Sequence, residues 1–193
     1  HGLTSHGRPA AMYRPLLHVP LIIRAPGMVP AGHRSDALVQ LTDVTETIAR
    51  IAGSVDALPT TPSPRVDLRE AVGGAGRSWA VSERAAWTER SLRRARRRNP
   101  SFDFAPYAGH MAAWVQDGWH LIAAETAPDE LYNLADDPEE RRNLIDDQPE
   151  RARAMQEALR EWQQRVEPHP AAQDRVTPDD QRVHKHLEGL GYF

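Results

Sequence analysis

The sequence predicts a mixed α/β fold in which a small antiparallel sheet packs on a C-terminal helix. Three observations indicate this class: a short apolar run typical of a buried strand, two amphipathic helical patterns, and an Asp-Gly dipeptide between two apolar segments. The chain has 193 residues, of which 40% are hydrophobic and 26% charged. That length suffices for one domain, or for a small domain and part of another.

The N-terminal part has the pattern expected at the end of an α/β layer. Residues 19–24 contain a short continuous apolar run that ends at Arg24, which predicts a strand buried on both faces. Residues 42–52 predict a helix that Gly53 ends. Its apolar positions fall on one face, which we expect to be buried: Val44, Ile48 and Ile51.

The C-terminal part carries the strongest local signals. Residues 79–83 predict a strand, and residues 111–116 and 119–124 predict a hairpin around Asp117-Gly118, a dipeptide suited to a type I′ turn. Because two strands alone are marginally stable, the hairpin requires a covering helix. Residues 149–166 supply it, with Pro149 at the first helical position. Their apolar stripe consists of Ala152, Met155, Leu159, Trp162 and Val166.

Residues 56–76 are rich in proline and glycine and predict a boundary. We therefore expect residues 1–75 to be the end of an α/β domain, residues 76–166 to form a subdomain of hairpin and helix, and residues 167–193 to be a tail.

Composition excludes several classes of function. A net charge of −3 and a pI near 6.3 give no global field that attracts nucleic acid or an anionic membrane, so we expect neither as a partner. The absence of cysteine excludes disulfides and thiolate sites, and it is compatible with a reducing, cytoplasmic location. The arginine-rich run Arg93–Arg98 has two interpretations: a solvated helix face or mobile loop, which we prefer, or a basic rim facing an anionic substrate.

Four segments, in order, resemble the C-terminal half of the sulfatase family. They cover nearly the whole chain, and their order and spacing are more specific than any one of them. They are residues 1–27 with Tyr13 and the Val-Pro-Leu-Ile-Ile-Arg run, residues 36–53, residues 115–144 with Glu130-Leu-Tyr-Asn-Leu134 and Asp137-Pro-Glu139, and residues 187–192.

The resemblance implies an alkaline-phosphatase-like α/β fold and hydrolysis of a sulfate ester, on a small molecule or a carbohydrate. The family uses a formylglycine nucleophile, made from Cys or Ser in a Cys/Ser-x-Pro-x-Arg motif, and a calcium ion. This sequence has no such motif and lacks the family's acidic ligand pairs, so we expect no catalytic residue and no metal ligand here. Because the chain begins with His1, we expect it to be a C-terminal fragment.

The resemblance also points to residues that contact the sulfate. The family usually has a lysine about four residues before the tyrosine that matches Tyr13, but here Pro9 occupies that position. The neighbouring Arg8 and the nearby His6 are the interior cationic candidates, and a guanidinium binds sulfate oxygens in bidentate fashion. We add His110, which precedes the hairpin, as a third substrate-binding candidate.

Two other functions stay open from the sequence. One is a phosphodiesterase or phosphonate monoester hydrolase of the same superfamily, because these enzymes share the fold and the use of a metal ion in catalysis. The other is a non-catalytic remnant domain. The nucleophile motif upstream of this segment would distinguish them, since fold alone does not fix the substrate.

Overall fold

The computed structural model describes residues 4–5, 8–9, 11–58 and 63–166. The strands are β1 (Thr4–Ser5), β2 (Arg8–Pro9), β3 (Trp79–Arg84), β4 (Met111–Gln116), β5 (Trp119–Ala124) and β6 (Glu130–Asn133). The helices are α1 (Arg14–Leu17), α2 (Leu41–Ile51), α3 (Leu68–Ala71), α4 (Glu89–Arg98) and α5 (Pro149–Arg165). Short 3₁₀ turns cover Val55–Ala57 and Ala105–Tyr107.

The main sheet has four antiparallel strands in the order β3-β4-β5-β6. The predicted hairpin is confirmed: Gln116 pairs with Trp119, which leaves Asp117 and Gly118 as the turn. Their φ values are 50° and 75°, as a type I′ turn requires at both central positions. The predicted strand at residues 79–83 is also confirmed, one residue longer, as β3.

Gly118→Ala is expected to destabilise the fold by about 1–2 kcal/mol, because a Cβ resists the left-handed conformation at φ 75°. Gly73→Ala is the matched control. The backbone φ of Gly73 is not positive, and an added Cβ would be 3.4 Å from the nearest atom, the Glu70 carbonyl oxygen. Urea unfolding of the two variants measures the difference. Equal losses of unfolding free energy would contradict the hairpin turn.

Helix α5 covers one face of the sheet, as predicted. Its buried side chains pack against Val81, Trp114 and Leu121 of the sheet. Pro149 occupies the start of the helix, where a missing backbone N–H costs nothing. The buried positions are Ala152, Met155, Leu159 and Trp162, with Val166 partly buried beside them.

The segment after β6 completes the edge of the sheet. Asn143 accepts a hydrogen bond from the Leu131 backbone N–H at 2.9 Å, and the Leu144 N–H donates to the Leu131 carbonyl at 2.8 Å. Asp137 accepts from the backbone N–H groups of Arg141 and Arg142. The Asp-Pro turn is therefore structural, because its carboxylate caps the backbone that follows.

The predicted strand at residues 19–24 is wrong. This segment has no regular secondary structure, and Ile22 is 93% exposed. No other strand of residues 11–58 or 63–166 lies beside it. A strand of a parallel sheet needs neighbours to pair its N–H and C=O groups and cover its faces.

The helix predicted at residues 42–52 is present as α2, but its orientation differs from the prediction. Ile48 and Ile51 are 61% and 46% exposed, whereas Asp43, Glu46 and Thr47 are buried. The buried side is held by hydrogen bonds to residues 65–77, which outweigh the apolar pattern. Gln40 is the N-cap of α2, and its backbone N–H donates to Asp43 Oδ2 at 2.8 Å, which is one of the two hydrogen bonds of a capping box.

Several contacts cross the boundary predicted near residue 75. Gln40 Nε2 donates to the Val81 carbonyl at 2.5 Å, and Trp162 Nε1 donates to Ser63 Oγ at 2.9 Å. The segments on the two sides are therefore packed together, and the division into domains stays a prediction. No helix within the described residues has the length and apolar character needed to cross a membrane.

Candidate functional site where the N-terminal segment meets the sheet

The N-terminal segment lies on the face of the sheet opposite α5. Ala11, Met12 and Tyr13 are buried there against Met111 and Ile122. Trp87, Phe102 and Tyr107 pack around the same cluster. Strand β2, which carries Arg8, ends at Pro9. The buried cluster begins two residues later, at Ala11, so this packing fixes the chain close to Arg8.

Glu130 anchors this segment through two phenols. Tyr13 Oη donates to Glu130 Oε2 at 2.9 Å, and Tyr132 Oη donates to the same oxygen. Burial and the Glu130 charge raise the pKa of both tyrosines well above the usual value. The two phenols therefore stay protonated at neutral pH and serve as hydrogen-bond donors, not as nucleophiles.

Glu140 forms the second anchor. Its Oε2 accepts from the Arg14 backbone N–H at 2.6 Å, and its Oε1 accepts from His120 Nδ1. Glu140 is fully buried and His120 is 1% exposed. This histidine is therefore structural, as expected for a strand residue, and it helps hold the start of α1 against the sheet.

His110 lies at the start of β4 in an acidic environment. Its Nε2 is 3.4 Å from Glu83 Oε1, and its backbone N–H donates to Glu125 Oε2 at 2.8 Å. The imidazole is 42% exposed, so it is accessible to solvent. The Glu83 carboxylate lies beside the imidazole and the Glu125 carboxylate beside the backbone, and both would repel an anionic ligand.

The loop before His110 is fixed by Arg84. The Arg84 guanidinium donates to the carbonyls of Tyr107 and Gly109, at 2.7 and 2.9 Å. Burial lowers the Arg84 pKa. Gly109 is required by close packing, because a Cβ there would lie 2.8 Å from a methyl carbon of Thr126. These contacts hold His110 at a defined place beside the first residue of β4, an inner strand of the sheet.

The three predicted substrate-binding residues have different outcomes. His110 is placed as described, between Glu83 and Glu125. Arg8 lies in β2, where its backbone pairs with Ser5. His6 lies outside the described residues. Their role in binding sulfate stays a prediction for all three.

The described residues do not fit a calcium site. Within them, no group of three or more His, Asp or Glu side chains is arranged to hold a metal. The buried carboxylates among the described residues are already engaged: Asp43 with Arg77, Glu46 with Arg50 and Arg65, Asp67 with Arg69, and Glu140 with His120. Calcium needs six to eight oxygen ligands, which these committed groups do not provide.

We therefore expect this chain to bind no calcium with micromolar affinity. Isothermal titration of the chain with calcium chloride should give only heats of dilution, and the melting temperature should not rise with added calcium. A saturable micromolar binding event would contradict this expectation and would direct attention to the exposed carboxylates of Asp136 and Glu139.

Comparison with solved structures places this fold among known hydrolases. A protein assigned as a sulfatase from Bacteroides fragilis matches with a TM-score of 0.53 and 14% identity over 72% of this chain and 28% of its own. A phosphonate monoester hydrolase from Silicibacter pomeroyi matches at 0.51 and 21% identity, over 81% and 31%. Ps i-CgsB, crystallised with a neocarrahexaose, matches at 0.50 and 16%, over 86% and 32%. No family model and no curated protein matches the sequence.

The chain has a mixed α/β architecture in which a four-stranded antiparallel sheet packs on a C-terminal helix. More narrowly, it has the fold of the C-terminal portion of alkaline-phosphatase-like sulfatases and phosphonate monoester hydrolases. It spans 28–32% of the length of the three structures compared.

Sequence reasoning missed the residues that build this site. Glu83 ends the predicted strand and Arg84 directly follows it, but nothing in their spacing indicates the loop they contact. Glu130 belongs to a segment that resembles the sulfatase family, so the sequence drew attention to this segment. It did not indicate that Glu130 binds two tyrosines. Glu140 lies in an acidic run, and only its burial identifies it as an anchor.

Proposed function

We propose that this chain is the C-terminal portion of a sulfuric ester hydrolase of the arylsulfatase type, acting on a small-molecule or carbohydrate sulfate ester. The observation that carries the proposal is that two independent comparisons agree. The four-segment sequence resemblance and the structural match both cover most of the chain and indicate the same superfamily. The neocarrahexaose bound by one structural neighbour agrees with a carbohydrate substrate.

In this proposal the chain holds the substrate and does not perform the covalent step. It has no cysteine and no serine in a Cys/Ser-x-Pro-x-Arg motif, so the formylglycine must come from elsewhere. The calcium ligands of the complete enzyme would likewise lie outside the described residues. The anchors at Glu130 and Glu140 fix the segment that follows Arg8, which supports the proposal that Arg8 contacts the sulfate.

A phosphonate monoester hydrolase is the second candidate, because such an enzyme matches with a TM-score of 0.51, close to 0.53 for the sulfatase. Assaying the longer protein that carries this chain against an aryl sulfate, a phosphonate monoester and a phosphodiester distinguishes the two. We expect the highest kcat/KM on the aryl sulfate. No turnover of any of the three would favour the non-catalytic remnant.

Within the complete enzyme, Arg8→Ala or His6→Ala is expected to lower kcat/KM on an aryl sulfate by roughly tenfold to a hundredfold. Loss of a charge-assisted hydrogen bond in a poorly solvated site costs on the order of 1.5–3 kcal/mol. The isolated chain of 193 residues is expected to have no activity, because it lacks the nucleophile.

The matched controls are Arg34→Ala and His33→Ala, adjacent exposed residues of the same types. Both controls should keep wild-type kcat/KM. If Arg8→Ala and His6→Ala also keep it, the substrate-binding assignment is wrong while the family resemblance stands. Turnover by the isolated chain would overturn the conclusion drawn from the missing nucleophile.

A further inference from the structure

Helix α4 concentrates positive charge on one surface. Its ten residues contain six arginines and one glutamate, although the whole chain has a net charge of −3. Four of the arginines have the spacing i, i+3, i+4 and i+7, which places them on one helix face. They line a surface depression of about 380 Å³: Arg90, Arg93, Arg94 and Arg97.

These four arginines, here called the arginine face, have no carboxylate partner within the described part of the chain. Other arginines of this protein do have one: Arg77 pairs with Asp43, and the exposed Arg142 pairs with Asp147. Like charges at i, i+3 and i+4 repel each other along a helix. The unbalanced charge therefore favours an external anion.

The helix itself is well formed and fixed to the fold. Thr88 caps it by accepting from the Ser91 backbone N–H at 3.2 Å, and Leu92 is buried at 7% exposure. Leu92 anchors the side opposite the arginine face. The guanidinium groups are thus presented on a stable helix, spread over about 10 Å at 1.5 Å per residue.

We infer that the arginine face binds a sulfated polysaccharide, as a docking surface for a polymeric substrate. Guanidinium groups donate paired hydrogen bonds to sulfate oxygens and stay charged at all physiological pH values. Several sulfates in a row on one chain match several arginines in a row on one helix. The choice of sulfate over other anions depends on the proposed function.

Two other polyanionic partners fit less well. A membrane-binding helix requires apolar side chains beside its basic ones, and the apolar Leu92 faces inward here. Binding of single-stranded nucleic acid depends on aromatic side chains that stack with bases, and α4 contains none. A cluster of arginines can also bind duplex DNA through its phosphates alone, so the test includes duplex DNA as a competing ligand.

The experiment measures binding of dextran sulfate to the full chain of 193 residues by fluorescence anisotropy, with unsulfated dextran and duplex DNA in parallel. The test variant carries Arg90→Gln, Arg93→Gln, Arg94→Gln and Arg97→Gln. Glutamine keeps helix propensity while removing the charge. The matched control removes four charges elsewhere, through Arg141→Gln, Arg142→Gln, Arg153→Gln and Arg160→Gln, all exposed.

We expect the wild type to bind dextran sulfate, with a log–log salt slope of about −3 for four contacts at roughly 0.7 per neutralised charge. The test variant should lose about tenfold or more in affinity and most of that slope, while the control variant keeps both. The double variant Arg93→Gln and Arg97→Gln, which disturbs the helix less, should show an intermediate loss. Circular dichroism checks that α4 stays folded in each variant.

Equal affinity of wild type and both arginine-face variants for dextran sulfate would overturn the inference. Tighter binding of duplex DNA than of dextran sulfate at equal salt would overturn the choice of partner. The binding assay needs no turnover, so it is independent of the test of the proposed function. An inactive complete enzyme would refute the proposed function and leave the binding result in place. Wild-type affinity for dextran sulfate in the arginine-face variants would refute the docking surface and leave the proposed function in place.

Discussion

Asp43→Ala is expected to lower the free energy of unfolding by about 3–5 kcal/mol, because it breaks a buried ion pair by removing one partner. Asp43 is fully buried and accepts from Arg77 Nε at 2.7 Å. It also accepts from the backbone N–H groups of Gln40 at 2.8 Å and Val66 at 3.0 Å. The variant leaves the Arg77 guanidinium, 1% exposed, as an unpaired buried charge.

Urea unfolding at pH 7 measures this loss, and Asp56→Ala is the matched control. Asp56 is exposed in the 3₁₀ turn that follows α2, so its removal should change the unfolding free energy by less than about 0.5 kcal/mol. A loss in Asp43→Ala no larger than in the control would mean that the Asp43–Arg77 pair contributes nothing to the fold.

The same pair predicts a dependence of stability on pH. Burial by itself would raise the Asp43 pKa, but hydrogen bonds from Arg77 and two backbone N–H groups hold it below its usual value. A carboxyl with a depressed pKa in the folded state contributes its full stability above its unfolded pKa of about 3.9. That contribution is lost as pH falls through the folded-state pKa. Wild type should therefore lose more stability between pH 5 and pH 3 than Asp43→Ala does.

Glu140→Ala is expected to lower the free energy of unfolding by a similar amount, about 3–5 kcal/mol. The variant leaves the buried His120 and the Arg14 backbone N–H without their acceptor. It should also loosen the segment that follows β2. We therefore expect, in the complete enzyme, a rise in KM for the sulfate ester along with the lower melting temperature. Thermal unfolding and steady-state kinetics measure the two effects.

Glu139→Ala is the matched control, because this neighbouring glutamate is 65% exposed and its ion pair with Arg141 is on the surface. It should change neither quantity measurably. The double variant Glu140→Ala with His120→Leu removes both buried partners, and we expect it to recover part of the loss. Additive losses in the double variant would show that the two side chains are not coupled.

The elements that sequence analysis predicted correctly depend on local rules. The hairpin follows from Asp117-Gly118, which favours the turn geometry by backbone sterics alone. Helix α5 follows from a regular apolar stripe and from Pro149 at its start. Each signal lies within a few residues of the structure it specifies, so no long-range information is needed.

The wrong predictions concern which side of an element is covered. Residues 19–24 have the composition of a buried strand, but composition does not supply neighbouring strands. Helix α2 has an apolar face, yet its polar face is buried, because Asp43, Glu46 and Thr47 find hydrogen-bond donors at residues 50–77. The most distant donor, Arg77, lies 34 residues after its partner Asp43, which is too far for a periodic pattern to reveal.

For the candidate site, the sequence by itself determined the superfamily resemblance, the absence of the nucleophile motif, and the cationic candidates Arg8, His6 and His110. Only the tertiary structure decided that His110 lies between Glu83 and Glu125, and that Glu130 and Glu140 hold the segment following β2. The physical reason is that turns and helices arise from contacts between near neighbours. The environment of a charged group, in contrast, is set by side chains that folding brings together from up to 126 residues away.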